Sequence, residues 1–515
     1  MQKVRIILFI KLSFISSFGI AQDIECNLIT NDTTYLPVPE IDKPEYLQYV
    51  WDPTFGTKIT RIVGEPGTLL PNIPGNVWAF EQQRHAYSKR SVWNSDQSMM
   101  YLERHYPNLW LDGETYEVLF TRNKPSSYLL WSHTDPNIMY HTGRSGNSHI
   151  GSWDVVADVS TELIDLRDYT SCTFGDGEGN FTRDGTKAAI YGTRISDGKY
   201  VIFVVDVVNK TKGPDIELEG IDLDNCTMSS NGNYIIINHN SDRLTVLDAK
   251  DGTLVWAETE YGLPSHFDVQ VDQDGDEVIA GVAKSNPYNG LVIKRKLSDG
   301  TITALTKSGY ASHTSGRNLN RPGWVFVTYQ NLQTNAKYLP YIGELVAVRL
   351  DGTRVERICN LRVDKRKLPS DDQYYFEAHG CPSPDGLRAV FASDWNSASY
   401  PVQAYVVDFR DSVLISVGTD ERFELRGTGL SELQNYPNPF NSETNIRFSV
   451  KAEGPALVKV FNIMGREVAT IFNDFVTTGQ QYNVLFDARS LPGGIYTVRL
   501  ECQNQFITNK MILLK

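Results

Sequence analysis

The sequence predicts an all-β chain: a seven-bladed β-propeller followed by a small C-terminal β-sandwich. Three observations carry that reading. A hairpin of one design recurs along most of the 515 residues. Its turns are spaced by about 40–50 residues, the period of four-stranded blades. The pattern then stops near residue 410, and a short segment of different character follows.

The clearest copy of the hairpin is EAHGCPSPDGLRAVFASD, residues 377–394. A short strand, a Ser-Pro-Asp-Gly turn and an apolar strand make an inner hairpin. Six further inner hairpins can be counted, at 86–104, 128–141, 179–192, 226–239, 265–281 and 312–329. Between them lie outer hairpins such as LWLDGETYEVL (109–119), LTVLDAKDGTLV (244–255) and AVRLDGTRVERI (347–358), each turning at an Asp and usually a Gly. The seventh inner hairpin is followed only by AYVVDF (404–409), whereas YVWDPTFGTKITRIVG (49–64) is an outer half-unit without an inner one. Pairing these two ends closes the ring and removes an exposed edge, so the expected count is seven rather than eight.

The expected organisation is therefore a lead-in at 22–44, the propeller at 45–410, a linker at 411–430 and a second module at 431–515. Residues 1–21 have Lys3, Arg5 and Lys11 around apolar runs and end in small residues, the pattern of a secretory signal peptide cleaved near Ala21–Gln22. No later stretch is long and apolar enough to cross a bilayer as a helix. The formal charge of −13 argues against a nucleic-acid partner, because phosphate binding needs a basic surface, but leaves room for a local basic cleft. Six irregularly spaced cysteines do not make a disulfide scaffold.

Blade topology predicts which residues share a face. The start of an inner strand and the end of the next strand lie together, and the Asp-Gly turn lies opposite. His266, His313, His379 and Cys381 start inner strands; His105, His141 and His239 end second strands, as do Tyr191 and Arg194. His85 precedes an inner strand and His149 starts a third. Eight of nine histidines thus fall on one face, with His133 on the other.

Two constellations follow. His266, His313, His379 and Cys381 come from three consecutive blades and offer three imidazoles and one thiolate, a tetrahedral zinc set. The His-x-Cys spacing puts two side chains on one side of an extended strand. A set with all four ligands bound is structural; the alternative is a buried cysteine among hydrogen-bonded histidines. The second constellation is His85 and His105 with Tyr191 and Arg194, where His and Tyr can move a proton and Arg can hold a carboxylate bidentately. His141, Arg144 and His149 lie near it.

Asn435, Tyr436, Pro437, Asn438, Pro439 and Phe440, then Gly465 and Leu491, Gly493, Gly494, Ile495 and Tyr496, resemble the type IX secretion C-terminal sorting domain (type A) of the Bacteroidetes group. The resemblance implies type IX machinery as a partner and a secreted or outer-membrane-surface location reached through the periplasm.

For the propeller, the hairpin order with SHTSGRN (312–318), EAHGCPSPDG (377–386) and FASDW (391–395) looks like the seven-bladed polysaccharide lyases. Oligogalacturonate lyases hold a metal largely by histidines, including a His-x-His pair whose second place is Cys381 here. Ulvan lyases use histidines, a tyrosine and an arginine, with zinc apart from them, and this sequence fits that pattern better. The resemblance implies β-elimination at a uronic acid in an anionic polysaccharide. Arg194 would neutralise the carboxylate, His85 or His105 would take the proton, and Tyr191 would act as base or donor. His141, Arg144, His149, His239 and Arg317 would bind substrate. The further expectations are zinc, structural rather than catalytic, no organic cofactor, and a monomer. The rival expectation is a propeller that binds glycan or protein without chemistry. A hydrolase is disfavoured, since neither sialidase-type repeats nor a Gly-x-Ser-x-Gly elbow occurs.

Overall fold

In the computed structural model the residues described are 25–26, 28–143, 146–258, 260–329, 339–363, 373–397, 401–414, 430–450, 453–462, 467–502 and 505–514. The signal-peptide expectation at 1–21, most of the 411–430 linker and Arg144 lie outside them. The chain forms two compact units, Met1–Ser416 and Val417–Lys515.

Among the described residues the first unit is a propeller of seven sheets in chain order, antiparallel except where Gln82–Gln83 runs parallel to Val402–Asp408. Blade 1 holds strands Met99–Leu102, Leu109–Asp112 and Val118–Thr121, with Trp93 bridging to Met100 as its inner edge. Blades 2 to 5 begin with inner strands Leu129–Trp131, Tyr169–Phe174, Leu223–Met228 and Ser265–Val271. Blade 6 begins at His313–Ser315 and blade 7 at Cys381–Pro382.

The ring closes as the sequence predicts. Strand Lys58–Arg61 pairs antiparallel with Val402–Asp408 of blade 7, and Tyr49–Trp51 lies outside it. Early in the chain, Ile29–Thr30 covers the outer strand Val355–Asn360 of blade 6, where Glu356 Oε1 accepts the Cys26 N–H at 3.0 Å.

Alternation along each strand buries both faces of every sheet, and a separate apolar cluster fills each inter-blade gap. Met100 and Leu109 of blade 1 meet Val390 and Ala404 of blade 7; Trp110 meets Trp153 of blade 2; Leu130 meets Ile190 of blade 3. Ile202 meets Ile235, Val246 meets Val269, Val282 meets Val327, and Phe326 meets Tyr405. Seven gaps with seven clusters make a closed ring. Each fully buried large side chain contributes about 1.5–3 kcal/mol.

The turns opposite the histidine face follow the sequence. In Ser-Pro-Asp-Gly, Asp385 Oδ1 accepts from Ser383 Oγ at 2.5 Å and from the Leu387 N–H at 3.1 Å. Gly386 has φ 65° there, and a Cβ would lie 2.9 Å from Arg321 Cδ, so glycine is required twice over.

The second unit packs a three-stranded sheet (Leu430–Tyr436, Glu443–Val450, Gln481–Asp487) and a five-stranded sheet on one core that includes Ile446, Phe448, Val458, Val498 and Met511. The Asn-Tyr-Pro-Asn-Pro motif ties the two sheets. Asn435 Oδ1 accepts from Asn509 Nδ2 at 3.0 Å and Asn438 Oδ1 from the Ile512 N–H at 2.9 Å.

Candidate active site

Three inner strands deliver a histidine each to the same end of the ring. His266 opens blade 5, His313 opens blade 6, and His379 stands two residues before the blade 7 strand. Ring centroids are 4.6 Å apart for His266–His313 and 4.4 Å for His313–His379. The Tyr87 ring lies against both His313 (5.4 Å) and His379 (4.9 Å).

Glu377 completes the group. Its Oε2 is 3.5 Å from His313 Nε2 and 3.6 Å from His379 Nε2. Among the described residues, His313, Glu377 and His379 have ligand atoms all within 4.8 Å of one another. Two imidazoles and a carboxylate leave positions open on a bound ion, unlike a closed four-ligand site. The donor set fits a divalent cation. His313 Nδ1 is 2.8 Å from Ser312 Oγ, which lets Nδ1–H donate while Nε2 faces Glu377, the way a metal-binding imidazole is usually oriented. Burial, then His313, Arg84 and His85, hold His379 well below the usual histidine range, so it stays neutral as a ligand must be.

The backbone is unusual at two of the three histidines. His266 has φ 47° and His379 φ 45°, a left-handed conformation that costs non-glycine residues about 1–3 kcal/mol when held by its surroundings. At His379 the holding is explicit. Arg84 Nη1 donates to the main-chain oxygens of Tyr375 (3.1 Å) and Glu377 (2.6 Å), and His85 Nε2 donates to His379 O at 2.7 Å.

The same conformation removes Cys381 from the expected zinc set. Because His379 is not extended, the two-residue alternation does not apply, and the thiol turns into the core between blades 7 and 1. Its sulfur is 3.2 Å from Arg90 O, and burial pushes the thiol pKa up to about 12. Glu377, from the same stretch, stands beside His313 and His379 in its place.

The second constellation is dispersed. His85 is fully buried, donates from Nε2 to the backbone, and is pushed down to about 3 by burial and then Arg84; it is a brace. His105 is committed at both nitrogens. Nδ1 donates to Pro107 O at 2.7 Å and Nε2 accepts the Ala79 N–H at 3.2 Å. Tyr191 stacks on Tyr200 within blade 3 at 5.9 Å. Arg194 is held by Asp197, Asp215 and Glu217 at 2.6, 2.9 and 2.5 Å, so its charge is already matched.

The expected substrate binders are likewise engaged. Arg317 is buried in a two-bond pair with Asp268 at 3.0 and 2.8 Å. His141 Nε2 meets Ser160 Oγ and His239 Nε2 meets Thr245 Oγ1, both at 2.9 Å. His149 Nδ1 meets Asn147 O at 2.9 Å. His133 lies on the opposite face, with Nδ1 3.0 Å from Thr182 O.

Residues that the sequence reading missed stand beside the histidines instead. Arg104, exposed, shares a small recess with Arg84, Tyr87 and His379. Glu377 and Tyr87 were within quoted stretches, but neither carries a spacing signal. Around His266, Lys89 pairs with Glu178 at 2.7 Å and Lys284 with Asp242 at 2.9 Å. Burial, then Lys284 and Lys89, push His266 down to about 4. Its Nδ1 is buried without a hydrogen-bond partner although the residue is only half-buried, so Nε2 is the nitrogen that can meet a ligand.

Comparison with known proteins divides along the same two units. Residues 434–514 match the secretion system C-terminal sorting domain family. That tail is a type IX sorting domain. The chain is accordingly an exported one, secreted or displayed at the cell surface, with the type IX machinery as partner. No helix among the described residues is long and apolar enough to cross a membrane. No curated protein matches the chain by sequence. Among solved structures, an oligogalacturonate lyase in complex with manganese is 12% identical, covering 75% of this chain and 99% of its own, with TM-score 0.50. An oligogalacturonate lyase from Vibrio parahaemolyticus is 11% identical, covering 70% and 96%, with TM-score 0.49. At such identities the likeness is one of fold, and the fold is the propeller.

Proposed function

We propose that the exported propeller is a polysaccharide lyase that cleaves a uronic-acid-containing glycan by β-elimination. The observation that carries this reading is the convergence of His313, Glu377 and His379 beside the half-buried His266 and the exposed Arg104. The likeness in fold to an oligogalacturonate lyase that binds manganese is consistent with it. His313, Glu377 and His379 would hold a divalent cation, manganese or zinc by donor type. Bound there, the ion would supply positive charge against the substrate carboxylate.

The chain's own groups do the rest. Arg104, backed by Arg84, receives the uronate carboxylate and lowers the cost of charge developing on it. His266 Nε2 accepts the proton from the carbon next to the carboxylate. The electrons of that C–H bond form the new carbon–carbon double bond. The bond to the glycosidic oxygen breaks with its pair on oxygen, and the Tyr87 hydroxyl supplies the proton that oxygen takes. Burial and the nearby lysines keep His266 neutral at neutral pH, so it can accept a proton, and they make it a weaker base than an ordinary histidine.

The test offers ulvan, pectate, alginate and glycosaminoglycans to purified protein with Mn²⁺ or Zn²⁺, reading the ultraviolet absorbance of the unsaturated uronide. Absorbance should rise on one of them, and His266→Ala should lower kcat by about 10²–10⁴-fold. A flat trace on all of them would sink the lyase reading in favour of a glycan binder.

A further inference from the structure

A cleft of about 660 Å³ lies on the rim of blade 1, directly beside the recess that holds Tyr87 and His379. The two share Gln82 and Arg104 in their walls. Phe80 is 66% exposed and Tyr106 89% exposed, unusually open for large aromatic residues on a protein that buries most of its others. Arg104 and Lys124 also line the cleft.

Both aromatics stand on fixed supports. His105 takes the Ala79 N–H on one nitrogen and donates to Pro107 O from the other, so a single imidazole ties the segment carrying Phe80 to the segment carrying Tyr106. Trp78 packs edge-on against that imidazole, centroids 5.5 Å apart. The Phe80 ring lies over Gly67, where a Cβ would come within 2.8 Å of Cζ. The acids of the cleft do not cancel its cations. Glu103 is bound by Arg90 Nη1 at 2.7 and 2.5 Å, which leaves Glu81 against Arg104 and Lys124.

We propose that this cleft is a subsite for a chain of anionic polysaccharide, with Phe80 and Tyr106 stacking on the apolar faces of successive sugar rings and Lys124 and Arg104 meeting their carboxylate or sulfate groups. It rests on the reading of the neighbouring group as the reacting centre, and it gives that centre a direction: the glycan leaves the ring over blade 1. Sugar rings present C–H faces that suit aromatic platforms, and cations set beside the platforms select charged glycans over neutral ones. His105 acts here as a positioning residue.

Affinity electrophoresis of the full chain through gels containing pectate, alginate, ulvan or dextran separates this from the lyase reading, because it needs no turnover. The wild-type chain should be retarded by at least one acidic polysaccharide and not by dextran. Phe80→Ala/Tyr106→Ala should weaken that retardation by about tenfold or more with an unchanged melting temperature. Lys124→Gln should weaken it only in low salt. Trp51→Ala, an exposed aromatic 52% open on the outer strand of blade 7, serves as the control and should change nothing. Where elimination is measured, KM for long chains should rise in the double variant while KM for the shortest cleavable oligosaccharide stays put. Equal retardation of wild type and double variant, or none of the wild type, overturns the subsite and leaves the lyase reading to its own absorbance test.

Discussion

His85 Nε2 donates to the main-chain oxygen of His379 at 2.7 Å, and this one bond crosses the seam where the first blade meets the last. It fixes the tautomer of His85, whose Nδ1 is left bare and buried. It also clamps the residue whose left-handed backbone aims an imidazole at Glu377.

His85→Ala should therefore act on His379 rather than on a substrate proton. Losing the bond and leaving a buried carbonyl unpaired should cost about 1–3 kcal/mol. The melting temperature should fall and Mn²⁺ affinity, read by calorimetry, should weaken with it. Lost turnover with unchanged melting and unchanged metal affinity would return His85 to the role of base.

Glu377→Gln should weaken Mn²⁺ or Zn²⁺ binding by more than about tenfold, since it removes the charged ligand of the group. Cys381→Ala should leave that affinity unchanged. With its thiol pushed up to about 12 by burial, Cys381 should also resist iodoacetamide in the folded chain. Mass spectrometry of the alkylated protein checks this directly.

Arg317→Met should strand the Asp268 carboxylate in a buried site, a loss of about 3–5 kcal/mol. Arg317→Met/Asp268→Leu should recover much of it, because the remaining charge goes too. Denaturant midpoints of the two single variants and the double give the coupling.

His133 supplies a pH dependence away from the candidate site. Burial, then Arg317, push it down to about 4 from an ordinary 6.5. Between those values the unfolded chain binds a proton that the folded chain does not, so stability falls as pH drops through that window and levels off below it. The loss is on the order of 3 kcal/mol. His133→Gln, which can still donate to Thr182 O, should make that stretch of a stability–pH curve shallower by its own share, the shares of His85 and His266 remaining, without changing stability above pH 7.

The propeller was legible because its signals are local and repeated. An Asp-Gly turn and two apolar strands identify a blade wherever they stand, and the orphan half-unit near residue 50 had one place to go. Grouping His266, His313 and His379 followed from the same topology. Cys381 misled because alternation assumes an extended backbone, which the φ of 45° at His379 breaks. Arg194 misled for another reason. The carboxylates that occupy it include Asp215 and Glu217, which return to it from beyond the next strand, and no local pattern announces that. His105 lies three residues beyond the end of strand Met99–Leu102 and is consumed by two backbone bonds.

Closure by Lys58–Arg61 against Val402–Asp408 makes the ring a check on its own completeness. The early hairpin must wait with one edge open while almost the whole domain is synthesised, because the pairing that closes it joins Lys58 to Asp408. A chain cut short before residue 402 would keep a bare edge at each end of its row of blades and be open to aggregation or proteolysis. Only a chain that reaches Asp408 can hide both edges at once, and the C-terminal address at 434–514 follows only after that point has been passed.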